Sequence, residues 1–172
     1  KKKINKHDVL IGISASGTAQ YVHGALSMAH KLGSCTALIC CNKYHGEDYI
    51  DHILPVIVGP EIIAGSTRMK AGTATKMILN MISTTSMIKL NKVYDNLMVD
   101  LQVTNNKLLK RGIDIVVKLT GTNFNDAKKY LKSAKGSVKI AVIMKIKHLN
   151  YDNAEIMLNN NEGDLNKILK KN

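Results

Sequence analysis

The stretch DVLIGISASGTAQYVHGALSMAHKLGSCTALICC, residues 8–41, decides the fold. Asp8-Val-Leu-Ile-Gly-Ile-Ser14 is a short apolar run with polar ends, the pattern of a strand buried on both faces of a parallel sheet. It runs into the small, hydroxyl-bearing turn Ala15-Ser16-Gly17-Thr18. Val22, Leu26 and Ala29, with Ala25 beside them, then recur at helical spacing. Gly33, shortly after Lys31, is a C-terminal stop. Cys35-Thr-Ala-Leu-Ile-Cys-Cys41 is the next apolar strand. Strand, hydroxyl-rich turn, helix and strand in this order make a βαβ crossover, and hence an α/β fold around a parallel sheet.

Downstream, Asn42 to Asp51 is polar and reads as a loop or an irregular short helix. His52-Ile-Leu-Pro-Val-Ile-Val58 reads as a third strand, and Pro55 inside it favours the sheet edge. Next comes GPEIIAGSTRMKAGTATK, residues 59–76, with three of the twelve glycines and one of the two arginines. From Met69 to Ile88 the pattern is helical and apolar nearly all round, which predicts deep burial. Residues 96–119 read as another helix, carried by Leu97, Leu101, Leu108, Ile115 and Leu119. Gly112 weakens its middle by about 1 kcal/mol relative to Ala. After Gly121, Asn123 or Asn125 caps a basic helix over Asp126–Ala134, ended by Gly136. Val138 to Ile146 alternates as a strand would but also suits a helix. Asp152–Asn160 and Asp164–Lys171 read as short helices split by Gly163. The chain beyond about Gly121 is thus a helical appendage on an α/β body.

A chain of 172 residues with 45% hydrophobic content can bury a real core. It has no apolar run of the roughly 18 residues that a membrane span needs. The N-terminus is basic (Lys1, Lys2, Lys3, Lys6), but the apolar run behind it is too short and too quickly polar for a signal peptide. Cys35, Cys40 and Cys41 lack CxxC spacing and read as small buried hydrophobes in a reducing cytoplasm. The six histidines form no HxxxH or HxH pair, so no metal site is expected. The net charge of +12 raises nucleic-acid binding as a question. Residues 1–58 carry 6 lysines against 4 acids, residues 59–120 carry 9 cations against 4, and residues 121–172 carry 10 against 5. An excess spread this widely, with little Arg and few aromatics, argues against a base-reading surface.

Two stretches carry ligand chemistry. Ser14-Ala-Ser-Gly-Thr18 lies where a parallel strand meets a helix, the position at which open α/β sheets bind ligands. Its hydroxyls and helix N–H groups suit a phosphate, although plain N-capping by Ser16 is the competing reading. It has neither GxGxxG spacing nor a GK[ST] ending, so it is neither a dinucleotide fingerprint nor a Walker loop. Ser66, Thr67 and Arg68 with Lys70 form the second stretch. There, hydroxyls, cations and backbone N–H groups at a helix start suit an anionic ligand, against the alternative of a capped helix with solvated cations. Glu61 is a lone carboxylate, and one carboxylate without an identified proton donor makes no mechanism. His23 and His30 lie seven apart on the first helix and read as packing or surface residues.

GPEIIAGSTRMKAGTATKMILNMISTTSMIKLNKVYDNLMVD, residues 59–100, resembles the signature of the N-acetylmuramic acid 6-phosphate etherases, which is shared with the glucokinase regulatory protein. The family pattern runs GPE, GS[ST]R[ML]KAGTA, K, LNM and KV-aromatic-x-NLMVD. GISASG at 12–17 resembles the family's second sugar-phosphate loop, TNxKL at 104–108 continues the match, and VKIAVIM with NNNEGDL resembles its C-terminal helical unit. The resemblance implies an incomplete sugar isomerase (SIS) domain over residues 1–120, a three-layer α/β/α sandwich. It also implies a three-helix unit over 121–172, with Val138–Ile146 helical. The implied reaction cleaves the D-lactyl ether of N-acetylmuramic acid 6-phosphate. A carboxylate removes the C2 proton, lactate leaves C3, and water adds back to give N-acetylglucosamine 6-phosphate. No metal or nucleotide is needed, and the family works as a cytoplasmic homodimer in peptidoglycan recycling.

Carried over by position, Ser14, Ser16, Gly17 and Thr18 contact sugar or phosphate. Ser66, Thr67, Arg68 and Lys70 face or shape the site, and Glu61 orients their loop. The family's first phosphate loop and both catalytic glutamates correspond to positions ahead of Lys1. No residue here therefore takes a catalytic role, and the chain alone is expected to be inactive. After Gly17 the family usually has a basic residue and a Thr-Pro-Tyr-like run, whereas this chain reads Thr18-Ala-Gln-Tyr21, and Asp95 stands where glycine is common. The alternatives are a non-catalytic sugar-phosphate sensor and a phosphosugar isomerase. An apolar sheet edge, left for further strands or a second copy to cover, is also expected.

Overall fold

The computed structural model describes residues 4–169. Lys1, Lys2 and Lys3 of the basic N-terminus, and the end of the helix expected to reach Lys171, lie outside the described residues. The chain divides into two compact units, Lys1–Ser83 and Thr84–Asn172.

The first unit is the expected crossover. Strands β1 (Val9–Ile13), β2 (Cys35–Cys40) and β3 (His52–Pro55) form a parallel sheet in the order β1-β2-β3. Val9 pairs with Cys35 and Ile13 with Ile39, while Cys40 pairs with Pro55. Pro55 thus ends an edge strand, where its missing N–H costs no ladder bond. Helix α1 (Gln20–Lys31) packs on the sheet through Leu26 and Ala29, both fully buried. It ends in a Schellman arrangement. The Ser34 N–H donates to the Ala29 carbonyl (3.1 Å) and the Gly33 N–H to that of His30 (2.9 Å), with Gly33 at φ 81. Gly12 lets α1 lie against β1: a Cβ there would sit 2.6 Å from Val22 Cγ1 and 2.8 Å from Leu26 Cδ1.

Two burial expectations are corrected. β1 is not buried on both faces. Leu10 packs toward α1, but Val9 and Ile13, on the opposite face of an edge strand, are 61% and 44% exposed. Helix α2 (Lys70–Lys89) is not deeply buried either. Ala71 is its one buried residue, and Met77 and Met81 are 56% and 63% exposed. Its all-round apolar sequence predicts a partner that the described residues do not supply.

In the second unit the end of α2 is followed by a hairpin of β4 (Val93–Tyr94) and β5 (Leu97–Met98). Asp95 turns it at φ 50, where glycine is least strained. Residues 99–105 are not helical, contrary to the helix expected from residue 96. Val99 and Leu101 alternate into the core, and Asn105 caps α3 (Asn106–Thr120) by accepting the Leu108 N–H at 2.9 Å. Asn123, Ser137 and Asn150 cap α4 (Phe124–Ser133), α5 (Val138–Lys147) and α6 (Tyr151–Asn160) in the same way. Helix α7 (Leu165–Leu169) follows.

Residues Val138 to Ile143 of α5 are all buried, so its first turns have no exposed face and their sequence shows no helical period, while Ile146 and Lys147 at its end are exposed. Gly112 is a contact point rather than a weakness: a Cβ there would meet Leu131 Cδ2 at 3.1 Å. Lys139, 6% exposed, donates to the Gly163 carbonyl (2.9 Å) and pairs with Asp100 (3.4 Å), which also pairs with Lys92.

Candidate functional site

β1 delivers Ser14 to the carboxyl edge of the sheet, and the chain must turn there before α1. Ser14 is buried, and its Oγ accepts the N–H groups of Gly17 (3.1 Å) and Ala19 (3.3 Å). Ser16 Oγ accepts the Thr18 N–H (3.2 Å) and lies 2.9 Å from Thr18 Oγ1 and 3.4 Å from Ser14 Oγ. Ser16 does not cap α1: the N-cap is Ala19, without a side-chain bond. The turn is therefore a hydroxyl ladder, with Ser14 inside and Ser16 and Thr18 exposed.

The second stretch lies against the same end of β2. The Cys41 N–H donates to the Ala15 carbonyl at 2.9 Å, while its Sγ lies 3.9 Å from the Ala71 carbonyl and from Thr75 Oγ1. Cys41 thus touches both the Ser14–Thr18 turn and the first turns of α2. Glu61 caps α2: its carboxylate accepts the N–H groups of Lys70 (3.1 Å) and Ala71 (3.0 Å). These bonds, Ala71 first and then Lys70, hold the Glu61 carboxyl below its ordinary value, helped by the Lys70 charge. The place that composition suggested for an external anion at this terminus is taken by the chain's own carboxylate. Lys70 Nζ donates to the Pro60 carbonyl at 2.7 Å, and the Arg68 N–H to that of Ser66 at 2.9 Å. Ser66 is half-buried; Thr67, Arg68 and Lys70 are exposed.

Beside the turn is a cleft of about 290 Å³ lined by Gly17, Thr18, Gln20, His23, Tyr44, Glu47 and Tyr49. His23 Nε2 lies 2.6 Å from the Gly17 carbonyl and Nδ1 lies 3.0 Å from the Tyr49 hydroxyl. Sequence reasoning missed this group. Helical spacing places His23 one turn into α1, but Tyr44, Glu47 and Tyr49 lie in an aperiodic loop that gives no signal of what they face. Among the described residues no group of three His, Cys, Asp or Glu side chains is placed to hold a metal, and no helix is long and apolar enough to cross a membrane.

Residues 95–140 match the model of the C-terminal lid domain of glucokinase regulatory protein. The chain is 46% identical over 168 residues to the N-acetylmuramic acid 6-phosphate etherase of Geobacillus thermodenitrificans, covering 97% of this chain and 57% of that protein. It is 54% identical over 143 residues to that of Pseudothermotoga lettingae, covering 83% and 48%. With the enzyme of that name from Clostridium beijerinckii the identity is 47% over 173 residues, 99% of this chain and 56% of the relative. The chain spans about half the length of the curated relatives it matches. Over nearly its whole length, on an α/β body with a parallel sheet and following helices, the chain is thus similar to about half of an N-acetylmuramic acid 6-phosphate etherase.

Proposed function

We propose that this chain is the sugar-phosphate-binding part of an N-acetylmuramic acid 6-phosphate etherase, a carbon–oxygen lyase that releases D-lactate and N-acetylglucosamine 6-phosphate. The observation that carries the reading is the 46% identity to such an etherase over 97% of the chain. The geometry supports it. Ser14, Ser16, Gly17 and Thr18 form a hydroxyl ladder at the carboxyl end of a parallel sheet, where Ser16 and Thr18 can exchange their mutual bond for bonds to a ligand oxygen. Ser66, Thr67, Arg68 and Lys70 shape the adjoining wall, and Glu61 fixes that wall by capping α2.

Glu61 does not suit proton abstraction. Its carboxylate is bonded to two N–H groups, and a base whose pKa is depressed is a weak one. On the reading proposed here the chain alone binds substrate and does not turn it over. Adding N-acetylmuramic acid 6-phosphate to the chain tests both statements. Saturable heat of binding without D-lactate release is expected. Absence of binding overturns the reading, and lactate release by the chain alone overturns the inactivity.

A second reading, a non-catalytic sugar-phosphate sensor, is favoured by the match of residues 95–140 to the regulatory protein's lid. The two separate when the chain is carried in a full-length protein: the enzyme releases lactate and the sensor does not. A division by family, with a sugar isomerase segment over 1–120 and a helical unit over 121–172, belongs to the same proposal, although packing divides the chain within α2. So do a cytoplasmic location, a homodimer, and a positive charge that serves no nucleic acid.

A further inference from the structure

We infer that His23 is a positioning residue: it grips the Gly17 carbonyl and, braced by Tyr49, fixes the Ser14–Thr18 turn in its ligand-ready shape. What the turn binds rests on the function proposed above; the grip itself does not.

A carbonyl only accepts, so at 2.6 Å His23 Nε2 carries the hydrogen. In the neutral ring Nδ1 is then the acceptor, and the Tyr49 hydroxyl at 3.0 Å donates to it. The two bonds select one tautomer. The Gly17 C=O and the Thr18 N–H belong to one planar peptide and point in opposite directions. Holding the carbonyl therefore aims the Thr18 N–H at Ser16 Oγ, 3.2 Å away, and with it the exposed pair of Ser16 and Thr18 hydroxyls.

Such a hold has work to do at this position. Gly17 sits at φ 82, glycine is the freest residue, and no proline stiffens residues 15–20. Tyr44 also lies against Gly17, where a Cβ would sit 3.0 Å from its Cδ2. Its ring centroid is 5.8 Å from that of His23. Tyr49 is itself anchored on β2. Its carbonyl accepts the Thr36 hydroxyl at 2.8 Å, and the next turn of chain is tied down by the Asp51 carboxylate on the Thr36 N–H at 2.7 Å. A continuous set of bonds thus runs from the sheet centre through Tyr49 and His23 to the turn.

The test compares the wild-type chain with His23→Leu, which keeps bulk and loses the donor, and His23→Gln, whose amide can donate to the same carbonyl. Imidazole ¹⁵N shifts of the wild type should report hydrogen on Nε2; hydrogen on Nδ1 overturns the grip. One hydrogen bond corresponds to about tenfold in an equilibrium. Amide exchange at Gly17, Thr18 and Ala19 should therefore run about tenfold faster in the Leu variant. Affinity for N-acetylmuramic acid 6-phosphate should fall by about the same factor, with exchange in β2 unchanged and both effects largely reversed in the Gln variant. Wild-type exchange and affinity in His23→Leu overturn the inference. If His23→Leu unfolds the first unit, His23→Gln decides: wild-type turn protection supports the grip, and lost protection in a folded chain overturns it. If the wild type binds no sugar phosphate, the proposed function fails, and the tautomer and exchange still judge His23.

Discussion

Replacing Gly12 with Ala tests whether the sheet-to-helix contact positions the turn. A Cβ at this position would lie 2.6 Å from Val22 Cγ1, 2.8 Å from Leu26 Cδ1 and 3.2 Å from Leu26 Cγ. Carbon atoms pack at about 3.5–4.0 Å, so two contacts are short by roughly 1 Å. Neither neighbour can give easily: Leu26 is fully buried, and Val22 is β-branched and stiff at χ1. Helix α1 must shift off β1, an overpacking cost of about 1–3 kcal/mol. Against it stands the smaller unfolded-state entropy of Ala, worth about 0.4–1 kcal/mol. The overpacking wins, and Gly12→Ala should destabilise the first unit by about 1–2 kcal/mol. Urea unfolding followed by circular dichroism measures this, and amide exchange in β2 assigns the loss to the first unit. Adding Val22→Ala removes one of the two clashing atoms, so the double variant should lose less than the sum of the singles, by about 1 kcal/mol. A midpoint for Gly12→Ala equal to or above wild type would refute the packing argument.

Glu61→Gln removes the charge that caps α2, and amide exchange at Lys70 and Ala71 should accelerate. A carboxyl held below its unfolded value stabilises the fold above that value and loses the contribution as pH falls through the folded one. Acidification below about 4.5 should therefore reproduce the effect in the wild-type chain but not in the variant. At Asp100, burial works to raise the pKa, but the hydrogen bond from Lys92 and the charges of Lys139 and Lys92 outweigh it and hold it low. Asp100→Ala strips buried Lys139 of its ion-pair partner. Discounted for the exposure of Asp100, the loss should be about 1–3 kcal/mol in thermal melts of the second unit, and an unchanged melt would refute the pairing. The exposed apolar residues of α2 should bring two copies together, so sedimentation velocity should find a dimer; a monomer at all concentrations speaks against it.

Much of the first unit was legible in residues 8–41 because apolar runs, helical spacing and turn residues are local signals. The strand, the turn, the α1 face and the Gly33 stop all follow from neighbours within a few positions. Burial was not legible for β1 and α2, since it depends on what covers an element. Their apolar sequences announce partners that the described residues do not provide. The helix expected from residue 96 failed because Leu97 and Leu101 fit helical spacing by chance, while Val99 and Leu101 alternate inward on extended chain up to the Asn105 cap. α5 was ambiguous for the opposite reason: its first six residues are buried on every side, and such a stretch carries no period. At the site, the Ser14–Thr18 turn and the α2 start were legible as stretches. That Glu61 occupies the α2 terminus, and that His23 and Tyr49 hold Gly17, depends on tertiary placement that spacing does not encode.

The most direct test of the account is an amide chemical-shift titration of the 172-residue chain with N-acetylmuramic acid 6-phosphate. Saturable shifts are expected, concentrated at Ser14–Thr18, with a second group at Ser66–Lys70. Shifts confined to the lysine-bearing helices beyond residue 121, or none at saturating ligand, would contradict it.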